Sequence, residues 1–396
     1  MGYLVEMGEL YLAGNYRREP LAFVKGSGTR LFTEDGEEYL DFTSGIAVCN
    51  LGHAHPELVE VLKTQAQLLW HTSNLYYTAP QSKLAKKLVE LSFAEKVFFA
   101  NSGAEAIEAS LKLARRWSYE NFENGKYQFI ALENSFHGRT LGALSVTGQL
   151  HYQEGFQPLV PGTIFIPPND KRALKEVFNE KICAIILELV QGEGGVYPLE
   201  KDFVELAKEL CLKNKALLIL DEIQTGIGRT GKLFAYEHWE VEPDIMCLAK
   251  ALANGLPLSA MLAKEEVMSA LKPGTHASTF GGNPIACAVA LKVLEIVSEP
   301  TFLKEVTLKG KVLKEKIEEL KNRYSNLIKE VRGLGLLLAI EFYQEAKSIY
   351  DKLLKRKILT NRPKPNIIRL TPPLILNYRE IDYFINNLNE ILKEGG

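Results

Sequence analysis

At 396 residues, the chain is longer than one ordinary hydrophobic core, so two domains are the starting expectation. With 24% charged and 46% hydrophobic residues it has a globular composition, which excludes a disordered tail or a fibre. A formal net charge of -2 gives no electrostatic reason to expect nucleic acid or an anionic membrane as partner.

The beginning of the chain, Met1 to Glu9, lacks a basic-then-apolar signal pattern, and no apolar run reaches the roughly 20 residues of a membrane span. The first fifty residues read as an extended arm followed by short strands at Ala22–Val24, Arg30–Phe32 and Glu38–Phe42, parted by turn residues. From Pro56 the pattern alternates helix-length segments with compact apolar runs at Val97–Ala100, Gln128–Leu132, Ala184–Val190 and Leu217–Leu220. Such runs suit strands buried on both faces of a mostly parallel sheet, which predicts an α/β domain. After about Val289 a long amphipathic segment, Phe302–Tyr324, is followed by strands at Gly333–Phe342 and Ile367–Leu370 and a closing helix at Arg379–Lys393. The expected division is an N-terminal arm and strands over 1–55, a large domain over 56–288 and a smaller α+β domain over 289–396, to which the N-terminal strands return.

Cys49, Cys183, Cys211, Cys247 and Cys287 are odd in number and form no C-x-x-C pair, so a reduced cytoplasmic setting is expected, with neither a disulfide framework nor a zinc site. His53 and His55 lack a third partner, and no metal is expected there.

Parallel sheets place ligands at the carboxyl ends of their strands. After Val97–Ala100 comes Asn101-Ser102-Gly103-Ala104-Glu105, where Ser102 and Gly103 suit either a plain helix cap or an anion site. The strand Ala216–Leu220 ends in Asp221, which is either a solvated carboxylate or a partner for a metal or a protonated nitrogen. Gly226 to Lys232 imitates a phosphate loop, but Leu233 stands where a magnesium-binding hydroxyl belongs, and no helix follows as a dinucleotide site requires. The apolar run after Pro243 ends in Lys250, which either snorkels to solvent or, desolvated, serves as a nucleophilic amine. Thr279 to Pro284 opens another helix with a hydroxyl and glycines, again a cap or an anion site.

Together, Asp221-Glu222, the glycine loop through Gly231, Asp244 and Lys250 resemble the signature of the class III aminotransferases. The resemblance extends to Ser102–Ala106, Phe136–Thr140, Gln191–Gly195, Thr279–Pro284 and Arg369–Pro373, nearly the whole chain. It implies the three-layer α/β fold of type I pyridoxal enzymes and pyridoxal 5'-phosphate as cofactor. By the same resemblance Lys250 would hold the cofactor as a Schiff base and move the proton, and Asp221 would keep the ring nitrogen protonated. Gln224 would bond the phenolic oxygen and Phe136 would stack on the ring. Ser102, Gly103 and Ala104 would hold the phosphate, and Thr279 would reach it from the second subunit of a homodimer with shared sites. His137 is expected to be structural.

For substrates, the resemblance implies that Arg369 binds the α-carboxylate of 2-oxoglutarate or glutamate and that Arg139 takes the far one. Glu193 would pair with Arg369 when an ω-amine leaves it unused. Ser278 would contact the donor from the partner subunit, and Tyr16 would lie near the donor's α-substituent. Ser44–Val48 and Ser73–Tyr76 resemble the branch acting on N2-acetylornithine, whereas ornithine enzymes place a tyrosine where Ile46 stands. The expected reaction moves the terminal amino group of acetylornithine to 2-oxoglutarate, a step of arginine synthesis. The alternatives are another ω-amine (succinyldiaminopimelate, ornithine, 4-aminobutyrate or a carrier-linked lysine precursor) or a cofactor- or nucleotide-binding protein without turnover.

Overall fold

The computed structural model describes residues 2–123 and 125–395. A seven-stranded sheet carries the centre of the molecule. Its strands lie in the order Lys96–Ala100, Ser259–Ala263, Ile245–Leu248, Leu217–Asp221, Ile182–Leu187, Gln128–Leu132 and Thr163–Ile166. Six run parallel, and Ser259–Ala263 opposes both of its neighbours. The residues of Ile182–Leu187, Leu217–Asp221, Ile245–Leu248 and Ser259–Ala263 are all buried, as expected for strands covered by helices on both faces. The fold is the α/β arrangement that the alternating pattern implied, in the three layers that the resemblance implied.

A second sheet is antiparallel and contains Ile328–Leu334, Leu337–Phe342, Ile367–Leu370 and Asn361–Lys364. A third joins the two ends of the chain: Phe23–Ser27, Arg30–Thr33 and Glu38–Asp41 continue into Ile358–Leu359, which pairs in parallel with Glu38–Asp41. Leu40 and Phe42 accordingly share one hydrophobic cluster with Leu313, Ile340, Phe384 and Leu388, and the Phe42 and Phe384 rings stack at 4.5 Å.

The structure corrects three local expectations. The N-terminal arm is not wholly extended, since Tyr3–Tyr11 is a helix, rich in the helix formers Leu, Glu and Met. Gly333–Phe342 is not one strand: Gly335, at φ 54°, turns the chain between two strands of a hairpin. The helix Pro284–Val297 is capped by Asn283, whose Oδ1 accepts from the N–H groups of Ile285 and Ala286, so Thr279 is not its cap.

Candidate active site

Asp221 lies in register with Cys247 on the neighbouring parallel strand, so Asp221 and Lys250 leave the sheet at the same edge. Ser102, Phe136 and Glu188 follow three further strands that run the same way. The carboxyl ends of five strands therefore converge on one cleft of about 430 Å³, within the size range of small-molecule sites. Ser102, Gly103, Ala104, Phe136, Arg139, Glu193, Asp221, Gln224 and Lys250 all line it.

Lys250 sits at φ 41°, a left-handed backbone conformation that costs free energy for a side chain with a Cβ. Its side chain keeps some exposure to the cleft and makes no hydrogen bond among the described residues. Loss of hydration pushes the amine from its ordinary 10.5 to about 8, with Arg369 pushing the same way and Glu193, Asp221 and Glu188 opposing. Asp221 is held at both oxygens: Oδ1 accepts from Ile223 N–H at 3.0 Å, and Oδ2 lies 2.7 Å from Nδ1 of the buried His137. His137 is thus more than filler, because its ring fixes the carboxylate.

The helix Gly103–Asn121 begins with a capping box. Ser102 Oγ accepts from Glu105 N–H at 3.3 Å, and the Glu105 carboxylate accepts from the N–H groups of Asn101 and Ser102 at 2.8 Å. The N–H groups of Gly103 and Ala104 keep no partner among the described residues and border the cleft, where an anion would complete them.

Arg369 is fully buried. Nη1 donates to Glu193 Oε1 at 2.6 Å and to Gln224 Oε1 at 3.2 Å, while Nη2 donates to Asn361 Oδ1 at 2.7 Å. Burial works to raise the Glu193 carboxyl's pKa, but Arg369 and Lys250 prevail and hold it below the ordinary value. Gln224 also donates to Glu193 at 3.4 Å, so here it serves the ion pair. The Arg139 guanidinium lies 3.7 Å from the Tyr152 ring centroid and 5.4 Å from that of Phe136, a stacked shelf at the cleft mouth. Neither Asn361 nor Tyr152 carries a sequence signal, and only the fold reveals them.

Four residues singled out from sequence do not line this chain's cleft: Arg369 is buried behind Glu193 and Gln224, and the other three lie away from it. Thr279 is exposed, Ser278 bonds Asn101 Nδ2 through its hydroxyl at 3.2 Å, and Tyr16 is 68% exposed under Arg18. The glycine loop at Gly226–Lys232 is a structural element. The buried Arg229 donates to the carbonyls of Leu336 and Pro372, and Glu222 accepts from the N–H groups of Ala235 and Tyr236.

A desolvated amine, a clamped carboxylate and free N–H groups at a helix start suit a cofactor with an anionic tail, a basic ring nitrogen and an aldehyde. Pyridoxal phosphate has all three, so the residues present fit it. The fold and this cleft define a pyridoxal-type transferase.

Comparison with known proteins narrows the class. The family model described as "Aminotransferase class-III" matches residues 11–392, and the chain belongs to that pyridoxal-phosphate-dependent family. The acetylornithine aminotransferase of Caldanaerobacter subterraneus subsp. tengcongensis is 48% identical over 97% of this chain and 98% of its own length. That of Methanocaldococcus jannaschii is 46% identical over 98% of both chains. Among solved structures, the ornithine aminotransferase of Toxoplasma gondii superposes with a TM-score of 0.95 at 33% identity, covering 99% of this chain and 96% of that one. The acetylornithine aminotransferase of Elizabethkingia anophelis gives 0.90 at 38% identity, covering 99% and 98%.

Proposed function

We propose that the protein transfers the terminal amino group of N2-acetylornithine to 2-oxoglutarate, giving N-acetylglutamate 5-semialdehyde and glutamate, a step of arginine synthesis. The observation that carries this reading is the Glu193–Arg369 pair beside Lys250 and Asp221. A fully buried guanidinium stripped of its one carboxylate partner among the described residues would cost on the order of 3–5 kcal/mol. Glu193 can therefore leave Arg369 only when a substrate carboxylate takes its place. With glutamate or 2-oxoglutarate, Arg369 receives the α-carboxylate and Arg139 the distal one. With an ω-amine donor, Glu193 stays, and Arg139 receives the donor's own carboxylate.

Pyridoxal phosphate, when bound, supplies the electron-accepting ring that makes a neighbouring C–H bond acidic. Lys250 would hold it covalently and then, as a free amine, carry the proton. Asp221, fixed by His137, would keep a ring nitrogen protonated, and Phe136 would cover the ring. The N–H groups of Gly103 and Ala104, with the Ser102 hydroxyl, would hold the phosphate. In this reading Gln224 turns from the ion pair to the cofactor's phenolic oxygen.

Ser278, Thr279 and Tyr16 belong, in this reading, to a homodimer with shared sites. Supporting it, Asn74 Nδ2 donates to the carbonyls of Ser278 and Gly281 at 2.9 Å and ties two loops that present the exposed Leu75, Tyr76, Tyr77 and Phe280. So much clustered apolar surface asks for a covering partner, and a second copy supplies it. The division at 1–55, 56–288 and 289–396 remains our reading of the domains, supported by the pairing of Ile358–Leu359 with Glu38–Asp41. The five cysteines are all free, which suits a reducing cytoplasm. No helix among the described residues is long and apolar enough to cross a membrane.

Steady-state kinetics on acetylornithine, ornithine, succinyldiaminopimelate and 4-aminobutyrate tests the donor. The highest kcat/KM is expected for acetylornithine, and a preference for free ornithine overturns that choice. A second expectation concerns pH. Only the unprotonated amine is nucleophilic, and Lys250 titrates near 8. Covalent capture of pyridoxal phosphate added to cofactor-free protein should slow about tenfold per pH unit below 8 and level off above it. A rate still climbing beyond pH 10 would mean an ordinary lysine.

A further inference from the structure

Glu188 lies just past the strand Ile182–Leu187, lines the cleft and is only 6% exposed. Its two oxygens serve different segments: Oε1 accepts from Phe136 N–H at 2.7 Å and Oε2 from Gly192 N–H at 3.2 Å. One segment carries the ring at the cleft wall, and the other leads directly into Glu193. Burial pushes this carboxyl up to about 7, with His137 pulling it down and Asp221 pushing it higher. Such a buried acid is costly where an apolar side chain would pack freely. What it contributes is two backbone positions fixed by one group. The Gly192 backbone also packs closely on Gln224, since a Cβ there would stand 2.0 Å from Gln224 Oε1. Gln224 here bonds both Glu193 and Arg369, and when it turns to the cofactor the tie at Gly192 is what remains to hold the Glu193 segment.

We propose that Glu188 is a positioning residue for donor choice: by tying Gly192 to Phe136 it keeps Glu193 on Arg369 while a terminal amine reacts. The inference rests on the transamination reading above. When the tie is cut, Glu193 drifts, Arg369 is left open to α-carboxylates, and discrimination between terminal and α-amines falls. An amide at this position has one oxygen to accept with and turns N–H donors toward the other backbone N–H.

The test is single-turnover spectroscopy of the cofactor-loaded protein, with acetylornithine and glutamate mixed in separately. In Glu188→Gln the ratio of the acetylornithine rate to the glutamate rate should fall about tenfold or more, the scale of one lost hydrogen bond to a charged group. A role confined to packing would slow both reactions alike, so a ratio within about twofold of wild type overturns the inference. Should Glu188→Gln fail to bind cofactor, Glu188→Asp, charged but too short to span both N–H groups, carries the same test with the same two outcomes. If the wild-type protein gives no spectral change with either amine, the transamination reading itself fails, and this inference with it.

Discussion

Lys250→Ala should abolish transamination while the protein stays folded and still collects pyridoxal phosphate in its cleft. The side chain is absent from the hydrogen-bond network of the described residues, so its removal leaves no buried donor or acceptor unsatisfied. Truncation to alanine also relieves none of the backbone strain at φ 41°, so the fold is not helped by the change. Catalysis loses both the covalent tether and the proton carrier. A positioned acid–base group alone is worth about 10²- to 10⁴-fold, and loss of the nucleophile adds to that. The expected deficit in turnover is therefore about 10⁴-fold or more, with an unfolding midpoint close to wild type. Steady-state rates together with denaturant unfolding check both halves. Turnover within about tenfold of wild type would remove Lys250 from its role.

Asp221→Asn should be the second most damaging change, with a different signature. Asp221 is 5% exposed, accepts from Ile223 N–H and faces His137 Nδ1 at 2.7 Å. Asparagine keeps the shape but loses the negative charge that would hold a proton on the ring nitrogen. Its amide N–H groups then compete with His137 Nδ1 for the same space. Removing one preorganised charge from a water-poor site typically costs about 10²- to 10³-fold in kcat, and that is the loss expected here. Lys250 should still become covalently linked to added cofactor, so the variant separates binding from chemistry. Wild-type kcat in Asp221→Asn would show that the carboxylate serves only to orient His137.

The large sheet was legible because its strands are short, apolar and separated by helix-length segments. Asp221 and Lys250 stood out because each ends such a run, but their expected roles, like the pairing of Glu193 with Arg369, came only through family resemblance. The other supporting contacts were not legible, since they depend on which strands become neighbours. His137 meets Asp221 across 84 residues and Glu188 meets Phe136 across 52. No local pattern encodes those pairings. Glu188 was hidden further by its context, a single acid inside the apolar run Ala184–Val190, which read as one strand although the strand stops at Leu187. Ser259–Ala263 escaped notice because an antiparallel strand within a parallel sheet has the same apolar composition as its neighbours. Ser278, Thr279 and Tyr16 were singled out only through family resemblance, and a single chain leaves them apart from its own cleft.

Everything proposed for this cleft requires that one amine bonds the cofactor. Borohydride reduction of the cofactor-loaded protein, followed by proteolysis and mass mapping, reads that bond directly. One pyridoxyl-bearing peptide is expected, with the added mass on Lys250. A label on any other lysine, or none on a protein that retains the cofactor, would contradict it.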